Sequence, residues 1–225
     1  MQKVVARCRV PKMKRLVNTL FDFFFPPFRE VREARRVAED RLFSVYRLAY
    51  DPKLGAYTAL PYADDAVRVV VRANKYFGDP HAALLLAGVL EEALCTILEE
   101  RALEISMGAT VLVPIPLSRA RARERGHNQV ARVVSRLQDP ILKKMVLNGV
   151  LRRHNRPSQA HIQKSERKTN IKGAFFVRPG DHARLAGRSV ILVDDVCESG
   201  STLKDARRAL LESGAASVTC LALAR

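Results

Sequence analysis

A chain of 225 residues, 48% of them apolar, is long enough for one compact domain with an appendage and can bury a proper core. Its net charge of +16 favours polyanionic ligands: phosphates, nucleic acid or an acidic membrane surface. Four widely spaced cysteines, Cys8, Cys95, Cys197 and Cys220, form no C-x-x-C pair, which argues against a zinc ribbon or a disulfide framework and fits a reducing cytoplasm. Residues 16–28 are the candidate targeting segment, following Lys12, Lys14 and Arg15. Asn18, Asp22, Pro26 and Pro27 interrupt it and no small-residue cleavage site follows, so neither a signal peptide nor a membrane span is expected. A buried helix or an interfacial one is the alternative for this stretch. Residues 1–60 read as a helical, irregular extension. Within it, residues 28–50 place Arg and Glu at three- and four-residue offsets, as on a solvated helix face. Asp51-Pro52-Lys53-Leu54-Gly55 reads as a turn.

Residues 61–225 read as the main domain. Apolar spacing predicts helices over 63–76 and 81–104, divided by Gly78-Asp79-Pro80. From Thr110 the character changes to short, β-branched runs at 111–115, 145–151, 174–177, 190–193 and 218–223, with helical stretches at 130–137 and 203–211. Strand and helix alternating in this way predict an α/β fold, a parallel sheet with crossover helices. Pro114 and Pro116 stiffen the turn after the first of these strands. Residues 119–172 then hold fifteen Lys or Arg against three acids. Arg119, Arg121, Arg123 and Arg125 alternate there, and forked guanidinium donors suit phosphate oxygens. All four cannot point one way, so Arg125 and one other are expected at a ligand, with the rest on a solvated basic face. Residues 152–172 are polar, basic and aperiodic, the mark of a functional loop or of a mobile connector. His154 and His161 lie seven residues apart in a loop poor in acids, an unpromising metal pair.

The most informative segment is 189–202. Ser189-Val190-Ile191-Leu192-Val193 is a continuous apolar run, as a strand buried on both faces requires. It leads into Asp194-Asp195, then Val196-Cys197-Glu198-Ser199-Gly200-Ser201-Thr202, then a helix from Leu203. In a parallel sheet, ligands bind beyond the carboxyl ends of strands. The next helix offers unpaired N–H groups and partial positive charge, which suit a phosphate. Gly200 lets the backbone curl close to it, and the hydroxyls of Ser199, Ser201 and Thr202 add donors. Asp194 and Asp195 suit vicinal hydroxyls or help hold Mg²⁺. Two blander readings compete. One is helix capping alone; the other is a response-regulator receiver, which needs further sites downstream, where only thirty residues follow Asp195.

Residues 191–202 resemble the phosphoribosyl pyrophosphate (PRPP) motif of type I phosphoribosyltransferases, with a Rossmann-like sheet implied. Over about residues 60–225 the chain is similar to the ComF family, the competence-associated phosphoribosyltransferase-like proteins. The resemblance is carried by Val113-Pro114-Ile115-Pro116-Leu117, Arg125-Gly126-His127-Asn128-Gln129, Arg153 with Ser158-Gln159, and Glu166-Arg167-Lys168-Thr169-Asn170-Ile171-Lys172-Gly173-Ala174-Phe175. The closing Leu223-Ala224-Arg225 matches as well.

The resemblance implies a transferase that binds PRPP with Mg²⁺ and passes the phosphoribosyl group to an unidentified base or other acceptor. Asp194 and Asp195 would hold the ribose, and Glu198–Thr202 the 5′-phosphate. Pro114, Ile115, Pro116, Leu117 and Arg125 would hold pyrophosphate through main-chain amides and the guanidinium. A flexible catalytic loop with Arg153, Gln159, Arg167 and Lys168 would close over the centre.

The chain departs from the family at two places. The usual four-cysteine zinc finger is missing after the Leu/Phe-rich lead-in at residues 20–27, so no zinc is expected. Glu198 and Ser199 stand where two threonines are common. In the related hypoxanthine phosphoribosyltransferases this place holds an acid that handles the base's proton, so Glu198 is either such a group or a solvated side chain. The rival function is a nucleic-acid-binding accessory of DNA uptake or repair, with a vestigial or regulatory PRPP site and single-stranded DNA as partner. Against it, residues 119–172 contain no Phe, Tyr or Trp for base stacking. Oligomeric state is left open, a dimer included.

Overall fold

The computed structural model describes residues 28–99, 108–154 and 173–225. At its centre is a five-stranded sheet of order β1-β2-β7-β6-β3. Its strands are β1 (Ala49–Asp51), β2 (Ala56–Leu60), β3 (Thr110–Pro114), β6 (Ser189–Val196) and β7 (Ser217–Ala224). The last four run parallel, and β1 turns back antiparallel on β2. Val190, Ile191, Leu192 and Val193 are all fully buried, because β6 is covered on both faces. Alternate side chains enter different cores: Ile191 and Val193 one, Val190 and Leu192 the other. This is the α/β sheet with crossover helices that the sequence predicts.

The first core lies under α3 (Asp65–Phe77), α4 (Pro80–Leu98) and α6 (Gln129–Val134), with α1 (Arg29–Arg36) and α2 (Glu39–Phe43) packed outside. Local sequence sets the ends of these helices. The Asp64 carboxylate accepts from the N–H groups of Ala66 and Val67 at 2.9 and 3.2 Å, and Gly78, at φ +59°, closes α3. Asp79 then caps α4, with Pro80 at its first position. α4 is long and apolar enough to cross a bilayer, but Leu86, Leu90 and Leu94 are fully buried in the first core. It is the core helix of this layer.

Three expectations need correction. Residues 49–60 are not part of a helical extension: they form the β1–β2 hairpin, and β2 pairs with β7, Tyr57 opposite Leu221. A division at residue 60 therefore falls inside the sheet. The run 145–151 is not one strand, because Met145 ends the helix α7 (Pro140–Met145) and Val146 makes only an isolated bridge to Leu112. The strand that follows, β4 (Leu151–Arg153), and β5 (Phe175–Val177) do not enter the main sheet at all. They pair antiparallel with each other as a separate two-stranded sheet over the second core.

That small sheet is pinned to α8 (Ser201–Glu212) mainly by Asp205, with Arg208 of the same helix also donating to the Phe175 carbonyl at 3.3 Å. The Asp205 carboxylate, 6% exposed, accepts from the N–H groups of Gly173 and Phe175 at 2.8 and 2.9 Å and from Arg208 Nε at 3.0 Å. Burial by itself would raise its pKa, but the two N–H donors and the Arg208 guanidinium outweigh it and hold the group below the usual carboxylate range. Asp205→Ala should lower stability by about 2–4 kcal/mol, since charged hydrogen bonds vanish and buried N–H groups are stranded. Urea midpoints measure this. The folded pKa lies below the unfolded value of about 3.9, so the contribution is present above it and is lost as pH falls through the folded pKa. The gap between wild type and variant should close only in acid.

Candidate functional site

The site sits where β3 and β6 part company. Pro114, the last residue of β3, pairs with Val193, and the Ile115 N–H donates to the Val193 carbonyl at 2.9 Å. β6 runs on beside β7, with Asp194 opposite Ala222 and Val196 opposite Ala224. From β3 the chain passes to α5 (Arg119–Arg125) and α6, which pack on the α3–α4 side. From β6 it passes to α8 on the opposite face. Chains leaving adjacent strands for opposite faces open a crevice at the strand ends, the usual ligand position in such sheets.

Asp194 and Asp195 lie in that crevice, 7% and 5% exposed. Strand alternation puts Asp195 on the side of α3, where Lys75 Nζ stands 3.6 Å from its Oδ2. Asp194 Oδ1 accepts from the Asp195 N–H at 2.8 Å. Burial first, and then the neighbouring Asp195 carboxylate, push the Asp194 carboxyl well above the usual range.

Beyond them, Glu198 and Ser199 are exposed on the loop, and Ser201 and Thr202 begin α8, half-buried. Ser199 and Ser201 face each other, hydroxyl to hydroxyl, at 2.9 Å. The N-cap of α8 is Gly200, with no side chain capping the helix, so its first N–H groups are left for a ligand. Gly200 has φ +72°, and a Cβ there would come 2.9 Å from the Leu54 carbonyl oxygen. The glycine is therefore needed twice, for a left-handed conformation and for close approach of the hairpin turn, not only to admit a phosphate.

On the pyrophosphate side, the four residues Pro114–Leu117 offer fewer amides than the resemblance implies. Prolines 114 and 116 have no N–H, and that of Ile115 is taken by Val193. Leu117 alone of the four keeps a main-chain N–H outside the sheet. The Ile115 carbonyl accepts from Asn128 Nδ2 at 2.9 Å, while Asn128 Oδ1 caps α6, so the loop is fastened to the next helix.

Arg125 lies over the Tyr76 ring at 5.2 Å and donates to Gln129 Oε1 at 3.3 Å. It thus faces α3, with its Nε buried and without a hydrogen-bond partner. Arg153, on β4, lies over Phe175 at 5.2 Å. Burial, then the positive field of Arg121, lower its pKa, against the opposing fields of Asp194 and Asp205. Arg121 of α5 is thus close enough to Arg153 for its field to act on it. Gln159, Arg167 and Lys168 lie outside the described residues, as do Ser158, His161, Cys8 and the lead-in at 20–27.

Sequence reasoning missed Lys75 and Leu54. Lys75 is one lysine near the end of an amphipathic helix, with no local mark of its ion pair. Leu54 belongs to a turn that was recognised, but nothing local says that the turn meets Gly200.

Comparison with known proteins places the fold in a family. The phosphoribosyl transferase domain family matches residues 109–225. Competence protein ComFC of Bacillus subtilis (strain 168) is 38% identical over 116 residues, covering 51% of this chain and 44% of that protein. Competence protein F of Haemophilus influenzae is 31% identical over 51% of this chain and 49% of its own length. For the DNA utilization protein YhgH of Escherichia coli (strain K12) the values are 31%, 51% and 48%. The matches thus span a little under half the length of these curated relatives. Among solved structures, the allosteric regulatory enzyme of purine biosynthesis aligns with 68% of this chain and 30% of its own, at 19% identity and a TM-score of 0.37, a likeness too slight to build on. The chain belongs to the phosphoribosyl transferase domain family and is a relative of the ComF competence proteins.

Proposed function

We propose that the protein is a cytoplasmic phosphoribosyltransferase that binds PRPP with Mg²⁺ and transfers the phosphoribosyl group to an acceptor still to be identified. One observation carries this: an uncapped helix N-terminus, at Gly200–Thr202, directly follows a buried acid pair at the point where two parallel strands diverge. The 5′-phosphate fits the first turn of α8, with the hydroxyls of Ser199, Ser201 and Thr202 beside it. Asp194 and Asp195 are placed for ribose hydroxyls. In this reading the Leu117 amide, Arg121 and Arg153 serve as donors for pyrophosphate, while Arg125 lies on Tyr76.

The bond from C1′ to pyrophosphate breaks ahead of bond formation to the acceptor, and positive charge develops on the ribose. The protein's part is then position and electrostatics. Among the described residues, no three His, Cys, Asp or Glu side chains converge to hold a metal ion. Two carboxylates suit Mg²⁺ held chiefly by its ligand's own phosphate oxygens. Bound on the pyrophosphate, with Asp194 and Asp195 acting on it only indirectly through the ribose hydroxyls, the ion would supply charge neutralisation at the leaving group.

A second reading is supported by the relatives' names, which speak of competence and DNA utilization, together with the net charge of +16. It makes the chain a nucleic-acid-binding accessory, with the PRPP site vestigial or regulatory.

Calorimetric titration with PRPP, with and without Mg²⁺, tests the first reading. Gly200→Val should weaken binding by at least ~2 kcal/mol, through lost amide contacts and a displaced loop. Unchanged affinity in a folded variant would refute the assignment. Glu198→Gln should lower kcat by about 10²–10⁴-fold if Glu198 handles the acceptor's proton, with PRPP affinity little changed. The readout is pyrophosphate release over a panel of free bases, and normal turnover would leave Glu198 a solvated side chain. For the second reading, anisotropy of a labelled single strand should fall with salt at a log–log slope of about −3 or steeper if several basic residues meet phosphates. Saturating PRPP should partly compete with that binding. No binding at low salt removes the DNA reading.

A further inference from the structure

The acid pair at the end of β6 has a counter-charge within the chain. Lys75 Nζ is 3.6 Å from Asp195 Oδ2, and that oxygen is buried without any hydrogen-bond partner. The separation is an ion pair but too long for a hydrogen bond. It leaves the carboxylate one acceptor short of satisfaction, in a position where an unpaired charge would be strongly unfavourable. Lys75 is half-buried, its side chain 22% exposed, and its neighbours hold it in register. Asn74 Nδ2 donates to the Gln129 carbonyl at 3.2 Å, and the Asn74 carbonyl lies 2.9 Å from His127 Nε2. Tyr76, on its other side, lies under the guanidinium groups of Arg72 and Arg125. The C-terminal turn of α3 is thus tied to α5 and α6 on both sides of the lysine.

An ammonium has three donors and no acceptor, while a carboxylate only accepts. A hydroxyl oxygen about 2.8 Å from each would accept from Lys75 and donate to Asp195, both at normal hydrogen-bond lengths. A divalent cation at the same carboxylate would instead stand close to a fixed positive charge, in a site partly shielded from water. Arg153, whose field reaches Asp194, adds to that repulsion.

We propose that Lys75 is a positioning residue serving as the acid pair's own counter-ion, so that Asp194 and Asp195 hold the ribose hydroxyls of a ribose 5-phosphate group without a divalent cation. Any Mg²⁺ requirement then belongs to the pyrophosphate half of the ligand. This rests on the phosphoribosyl reading above, and it assigns the charges within that site.

The test is calorimetric titration with ribose 5-phosphate, which carries no pyrophosphate to bring a metal with it. Wild type should bind equally, within about twofold, in EDTA and in Mg²⁺. Lys75→Met should bind at least about tenfold more weakly in EDTA, the scale of one lost charged hydrogen bond, and added Mg²⁺ should recover part of the loss. Lys75→Arg, which keeps the charge, should bind without metal. A wild-type protein that binds ribose 5-phosphate only with Mg²⁺ overturns the inference and leaves the phosphoribosyl reading intact. So does a folded Lys75→Met that matches wild type in EDTA. If wild type binds ribose 5-phosphate in neither buffer, the phosphoribosyl reading itself has failed and the inference falls with it.

Discussion

Holding two adjacent carboxyl groups out of water is the constraint around which this structure is arranged. Asp194 and Asp195 are both more than nine-tenths buried, near the end of β6, an interior strand of the sheet flanked by β7 and β3. Neither helix layer can approach them with apolar side chains without stranding a charge. The surroundings are accordingly polar at this one place. Lys75 comes in from α3, the field of Arg153 reaches across from β4, and the pair's own backbone supplies an N–H to Asp194. From Val190 to Val193 the same strand is apolar on both faces. The change from core to site takes place within one residue, at Val193.

Two further contacts join the phosphate loop to the rest of the molecule. At its start, Gly200 lies against the Leu54 backbone, so the β1–β2 hairpin bears on the loop that would take the phosphate. Within the helix that follows, Asp205 grips the main chain of Gly173 and Phe175. The segment joining β4 to β5 is the one for which the resemblance implies a closing loop, and its stem is anchored to the same helix whose first turn is proposed to take the phosphate. Occupancy of the helix N-terminus and the setting of that stem therefore share a rigid element. The N-terminal part is integrated as well: Phe28 packs on Phe77 at 4.9 Å, and Glu39 approaches Gly88 of α4.

The segment from Ser189 to Thr202 was legible because each of its features is local. A buried strand shows as an unbroken apolar run, a helix start as small and hydroxyl residues, and a tight approach as a glycine, all within fourteen positions. The helices at 65–77 and 80–98 were legible for similar reasons, with Asp and Pro at their starts and Gly78 between them. The hairpin at 49–60 was not. Its strands are three and five residues long, too short for a period-of-two signal to separate from irregular chain. β4 and β5 were seen as apolar runs, but a run does not declare its partner, and these two pair with each other.

What the sequence by itself determined is the order of strand, acids, hydroxyl loop and helix, and with it the phosphoribosyltransferase class of the domain. Composition added a cationic chain suited to phosphate ligands. The tertiary structure alone decided that Lys75 faces Asp195, that Leu54 closes on Gly200, that the turn after β3 keeps the Leu117 amide free of the sheet, and that Arg125 turns toward Tyr76. Each of these is a meeting of residues far apart in the chain, or a hydrogen bond already taken by a neighbouring strand. Such meetings follow from how the layers stack, and no local pattern encodes them, because one lysine on a helix or one amide in a turn looks the same whether or not its partner is there.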